Sequence, residues 1–245
     1  MSSTPRVDIL SRAVEINGIV QAEQLNIVTG SNKVAYSDLN AEKISGTGIT
    51  PSVALDVSAL GGMYANRITM VGTEAGVGVN SKGIMQATGT NSGITISVDG
   101  KVSLAQAADP NPPAGETPLM LGGIYSQGNI NIKSAQLDNS ADMIAGSDIT
   151  LDSATIGNSG TISSGISYPD PESDLLPTKT ANTTINITAT DLTNSGQINS
   201  EQGNINLSIS ATLANSGVIS ADSLSISAKT LDNSGGTIEQ TGSTD

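Results

Sequence analysis

The sequence predicts an all-β chain, a right-handed parallel β-helix with coils of about 20 residues and a few protruding loops. Three observations predict it: short strands that recur at one interval, a second phrase keeping the same interval, and a composition without large aromatic side chains. The 245 residues contain no Phe, Trp, Cys or His and only four Tyr. An ordinary globular core draws on aromatic residues that each bury 150–250 Å². Here the core must come from Ile, Leu, Val and Ala in many thin layers.

The first beat is a strand of period two. Ile130-x-Ile132, Ile149-x-Leu151, Ile185-x-Ile187, Ile205-x-Leu207 and Leu224-x-Ile226 begin 19, 36, 20 and 19 residues apart. Alternation turns the aliphatic side chains inward and Ser, Thr, Asn and Lys outward. The second beat is a turn-like phrase, Leu/Ile-x-Asn-Ser-Gly/Ala, with Asn139, Asn158, Asn194, Asn215 and Asn233 at steps of 19, 36, 21 and 18. The long step reads as one repeat plus an insertion. Asn and Gly both tolerate the left-handed region, which suits a corner, and stacked Asn side chains make ladders along an axis. Toward the N-terminus the beat weakens to Leu25-x-Ile27, Ile68-x-Met70 and Ile94-x-Ile96. There Leu60-Gly61-Gly62-Met63-Tyr64 and Leu121-Gly122-Gly123-Ile124-Tyr125, 61 residues apart, read as a duplication spanning about three repeats. A coil near 20 residues predicts a solenoid of about ten coils, on the order of 50 Å long at roughly 4.8 Å per rung. Helical spacing is absent, and β-branched residues dominate.

The expected organisation is a single β-helix over 1–245. Coils occupy 1–105 with an irregular segment at 31–52, a Pro-rich loop fills 106–120, and further coils run 121–245 with a loop at 166–181. Pro cannot donate to a ladder, so the loops must leave the sheet. Insertions in solenoids are expected to protrude on one side and form either a contact surface or tolerated loops. The residues offered for contact are Tyr36 and Asp38 in the first, and Tyr168, Asp170, Glu172 and Asp174 in the last.

Ten basic against 23 acidic residues leave a net charge of −13. Nucleic acid and anionic membranes need a basic footprint, so neither is an expected partner. No run approaches the length of a transmembrane helix, and no leader is visible at Met1-Ser2-Ser3-Thr4, so the chain reads as an excised segment.

Without His or Cys, most nucleophile–base pairs and zinc sites are closed off. Carboxylates remain: Asp8, Asp56, Asp99, Asp138, Asp148, Asp152 and Asp232. They are expected at turns and outward positions with scarcely a basic residue nearby, as solvated acids and not as catalysts. Asp170, Glu172 and Asp174 alternate like calcium ligands but lack a Gly-rich repeat, so no metal and no cofactor is expected. Val71-Gly72-Thr73-Glu74-Ala75-Gly76-Val77-Gly78 lacks the Lys-Ser ending of a phosphate loop and reads as a tight corner. Asn182, Asn186 and Asn206 lie in sequons expected by chance. Tyr64 and Tyr125 are expected to pack over their neighbouring glycines, the other reading being a carbohydrate-binding face.

Val7-Asp8-Ile9-Leu10-Ser11-Arg12-Ala13-Val14-Glu15-Ile16-Asn17, then Leu25 to Gly30, Val53 to Ala65 and Ile68 to Val79, resemble the filamentous haemagglutinin family. These are the exoproteins of two-partner secretion, which include adhesins and contact-dependent growth inhibition toxins. The specific match covers about the first third, and the Leu-x-Asn-Ser-Gly beat that follows is similar to the family's haemagglutinin repeats. The resemblance implies a right-handed β-helix, secretion to the bacterial surface through a partner outer-membrane transporter, and a projecting filament. It also implies contact with a host or neighbouring-cell receptor or glycan. The family's Asn-Pro-Asn motifs are missing, so the chain is expected to begin at the tail of the secretion region. The competing functions are an adhesive or structural segment, a toxin-delivery stick and, from another class, a polysaccharide-active enzyme.

Overall fold

The computed structural model describes residues 5–112, 119–167 and 177–242. Among the described residues, twenty strands pair in parallel to form one continuous sheet. They wind as a parallel β-helix, each coil contributing one strand to each of three faces before stacking on the next.

The first face holds the columns that the period-two strands predicted. Val7, Leu25, Ile68, Ile94, Ile130, Ile149, Ile185, Ile205 and Leu224 stand in register, each beside the next. Ile9, Ile27, Met70, Ile96, Ile132, Leu151, Ile187, Leu207 and Ile226 form the column two residues further on. The rod therefore has nine coils rather than ten, because the inserts consume sequence without adding rungs. The second face aligns Val14, Leu55, Val79, Val102, Leu137, Ile156, Leu192 and Leu213. The third aligns Val20, Met63, Met85, Ile124, Met143, Ile162, Ile198, Ile219 and Ile238. The core is this stack of aliphatic and Met side chains, fully buried in the middle coils and half-buried in the first and last. At roughly 25 cal/mol per Å², thin layers of Ile and Leu sum to a stable rod without any aromatic residue.

The register corrects the duplication. Met63 lies beside Met85, and Met85 beside Ile124, so the two Leu-Gly-Gly phrases are two coils apart and not three. The 61-residue gap is inflated by the insert between them.

All three inserts leave through short antiparallel ladders. Asn32–Val34 pairs with Ala41–Lys43, Ala107–Ala108 with Met120–Leu121, and Ile166–Ser167 with Thr178–Lys179. They do not protrude on one side. The first leaves between faces one and two, the second between two and three, and the third between three and one. Each corner of the triangular coil hosts one.

The Leu-x-Asn-Ser-Gly phrase is mostly strand, with only Ser-Gly at the corner. Leu and Asn both point inward on the second face, and Asn139, Asn158, Asn194 and Asn215 are almost completely buried. Their amides form an uninterrupted ladder. Nδ2 of Asn139 donates to Oδ1 of Asn158 at 2.8 Å, Asn158 to Asn194 at 2.8 Å, Asn194 to Asn215 at 2.7 Å and Asn215 to Asn233 at 2.7 Å. In coils one to four the same column holds Ile16, Val57, Ser81 and Leu104. None of the ladder Asn residues takes a positive φ, so they are chosen for the ladder and not for turn conformation. Gly160, Gly196 and Gly217 also have ordinary φ. A Cβ on any of them would collide with the backbone carbonyl of the coil before.

Candidate interaction surface

The outer surface is built from the residues that alternate with the core. The carboxylates resolve into pairs and caps, and basic partners are nearer than the sequence implied. Asp8 accepts from Arg6 at 2.8 Å and from Asn26 Nδ2 at 2.8 Å. The Arg6 hydrogen bond, joined by Asn26, holds the Asp8 carboxyl below its ordinary range. Asp138 pairs with Lys101, and Asp152 with Lys133 at 3.2 Å. For Asp138, partial burial pushes the carboxyl up, but hydrogen bonds from Lys101 and Gln136 outweigh it and leave it lowered. These partners sit one rung apart. Asp148 and Asp232 do cap backbone, accepting from Thr184 N at 2.8 Å and Ser234 N at 3.0 Å, and Asp56 accepts from Asn80 at 2.7 Å.

The first insert is tied to the rod by an arginine that sequence reading did not single out. Arg12, at the first coil's corner, donates from Nε and Nη2 to Glu74 of the third coil at 3.1 and 2.6 Å, and from Nη1 to the Thr47 carbonyl at 2.7 Å. This bidentate fork spans the second coil, from which the insert emerges. The Arg12 guanidinium holds the Glu74 carboxyl below the usual carboxylate range. The Gly-rich segment Thr73 to Gly78 is thus a corner, as expected, and Glu74 is its working residue. Only its position two rungs from Arg12 would have revealed it.

Tyr36 and Asp38 both lie on this insert. Tyr36 is 75% exposed and its ring receives the Arg6 guanidinium at 5.9 Å, a cation–π contact within the usual range. Asp38 accepts from Asn40 N at 3.0 Å, beside Leu39 at φ 58°. The two residues share one hairpin tip. Tyr168, Asp170, Glu172 and Asp174 lie outside the described residues.

A groove of about 600 Å³ runs along the first corner past Asp152, Ser153, Thr188, Thr190, Ser208 and Ser227. It offers hydroxyls and methyls, and its one carboxylate is already paired. Among the described residues no three acidic groups converge to hold a metal. Nor is any helix among them long and apolar enough to cross a membrane.

A three-faced parallel solenoid with corner inserts and a polar skin defines a repeat-built β-helical scaffold. Comparison with known proteins agrees. The TPS secretion domain matches residues 2–104 and the haemagglutinin repeat matches 121–223 and 201–245. The chain belongs to the filamentous haemagglutinin family of two-partner-secretion exoproteins. It is a secreted, cell-surface β-helical segment made of secretion-domain and repeat sequence.

Its relatives include the tRNA nuclease CdiA-2 of Burkholderia pseudomallei (strain 1026b), 44% identical over 104 residues, covering 42% of this chain and 3% of that protein. The 16S rRNA endonuclease CdiA of Enterobacter cloacae is 46% identical over 103 residues, 42% of this chain and 3% of that protein. The tRNA nuclease CdiA of Yersinia mollaretii is 37% identical over 155 residues, 61% of this chain and 5% of that protein. The chain therefore spans a few hundredths of the length of the curated relatives it matches. No solved structure matches it.

Proposed function

We propose that this segment is the rigid, membrane-proximal part of a filament that carries a distal domain to a neighbouring cell, after export through a partner outer-membrane transporter. The single observation carrying the reading is the nine-coil register, continuous through all three inserts: a rod that transmits length. The TPS secretion-domain match supports the transporter as partner. Relatives named as contact-dependent toxins support a delivery stick as the full protein's role, and an adhesive role draws on the same geometry. The bond-breaking chemistry of such a protein lies outside this segment, consistent with carboxylates engaged in rung-to-rung pairs and caps.

The division into secretion-type coils over 1–105 and repeat coils over 121–245, joined across 106–120, is supported by the limits of the two family matches. The inserts, with Tyr36 and Asp38 on the first and Tyr168, Asp170, Glu172 and Asp174 on the last, are the surface for a receptor or glycan.

The test is export of the full-length protein with and without its transporter, followed by co-culture with target cells. Transporter-dependent surface display and loss of target-cell contact on exchanging the inserts are expected. Surface display without the transporter, or bond cleavage by the purified segment on pectin-like glycans, overturns the reading.

A further inference from the structure

The third face carries an outward column that none of this uses. In register, it runs Gln21, Tyr64, Gln86, Tyr125 and Ile144. Tyr64 and Tyr125 each lean back over the glycine two residues before them on the same strand. A Cβ on Gly62 would lie 2.6 Å from Cε2 of Tyr64, and one on Gly123 would lie 2.9 Å from Cε2 of Tyr125. The expected packing over glycine is therefore present, and it has a second consequence. Each ring is laid down along the sheet and held there, half-buried, instead of standing free. Between them, Ile84 faces outward in register with both glycines yet is only 7% exposed, and Gln86 only 9%. The two rings wall in this middle rung. Tyr125 is further fixed by donating from its hydroxyl to Asp142 at 3.3 Å.

We propose that Tyr64 and Tyr125 form a platform for an extended, neutral β-1,4-linked glycan lying along the rod axis. The rings stand two rungs apart, about 9.6 Å at the spacing of parallel strands. That is close to the advance of one disaccharide in such a chain, so equivalent sugar faces fall on both rings. Aromatic rings present an apolar face with a negative quadrupole to axial C–H groups. Asp142 at one end and the net charge of −13 select against uronate or sulfated chains. Preorganisation over glycine means that little ring freedom is lost on binding. The surface lies on the third face, apart from the hairpin of the first insert, and does not depend on the export route.

The test uses the purified chain with cellohexaose and chitohexaose as probes, and polygalacturonate and heparin as anionic controls. With no Trp and four Tyr, tyrosine emission reads binding directly, and calorimetry gives the affinity. Saturable binding of a neutral hexamer is expected, with Tyr64→Ala and Tyr125→Ala each weakening it about tenfold or more. Tyr64→Phe, Tyr125→Phe and Tyr36→Phe should leave it nearly unchanged. Should the alanine variants lose their fold, ring-proton NMR shifts in the wild-type chain carry the same test, with two tyrosines required to move. No binding of either neutral hexamer, tighter binding of the anionic chains, or shifts confined to other tyrosines overturns the proposal.

Discussion

Asn158 donates from Nδ2 to Oδ1 of Asn194 at 2.8 Å although 36 residues separate them. The donors and acceptors one rung earlier, Asn139 and Asn158, are only 19 apart and meet at the same distance. The third insert thus leaves and returns without altering the rung that it interrupts.

The ladder should be costly to break and cheap to avoid elsewhere. Asn158→Ala takes the Asn194 Oδ1 donor away and leaves that buried oxygen unsatisfied, a loss of about 1–3 kcal/mol, while Nδ2 of Asn139 keeps the carbonyls of Ala141 and Thr161. Asn206 pairs with Asn186 on the exposed face at 3.0 Å, and Asn206→Ala should stay within about 0.5 kcal/mol. Urea unfolding of both variants checks this, and equal effects would refute the ladder's importance.

A side chain at the glycine corners should be excluded by space and not by conformation. Gly217→Ala drives a Cβ into the carbonyl of Gly196, and about 1–3 kcal/mol of overpacking cost is expected. Gly76→Ala has open space but φ 76°, so its penalty is one of backbone strain, on the order of 1 kcal/mol. Thermal unfolding of the pair separates the two causes by their response to Gly→Asn, which relieves only the second.

Deleting residues 166–182 should leave the rod intact. It joins Gly165 to Thr183 and restores the step between Ile149 and Ile185 to the 19 residues seen between Ile130 and Ile149. Circular dichroism is expected to show unchanged strand content, and the melting temperature to move by no more than a few degrees. A collapse of the transition would show that the insert supports the coils.

Acid should loosen the first insert. Glu74 has its folded pKa lowered by Arg12 from an ordinary 4.5. Its contribution is complete above that ordinary value and is lost as pH falls through the lower folded one. Protease nicking within residues 31–52 should therefore rise on acidification below about pH 4. Arg12→Gln should nick readily at neutral pH and lose most of that pH dependence. An unchanged acid profile in this variant would remove Arg12 from the clamp.

The column of the first face was readable from the chain because strands of period two admit only one inward set. Ile130, Ile149, Ile185, Ile205 and Leu224 needed no partner information to align. The number of coils was not readable, since an insert and a repeat are alike in length until pairing is known. That is why Tyr64 and Tyr125 looked one rung further apart than they are. The ladder Asn residues were assigned to turns on residue preference, because an inward Asn is recognisable only from the Asn above and below it. Of the interaction surface, the insert holding Tyr36 and Asp38 was located, whereas Arg12, Glu74 and the Lys101–Asp138 pair depend on register across 62 and 37 positions and leave no local trace.

The placement of the inserts has a consequence for how the molecule meets its surroundings. One emerges at each corner of the coil, at successive heights along the axis. Viewed down the rod they are spread around the full circle, so it has no blind azimuth. A tethered filament free to spin about its long axis would present one of them to an approaching cell whatever its rotation.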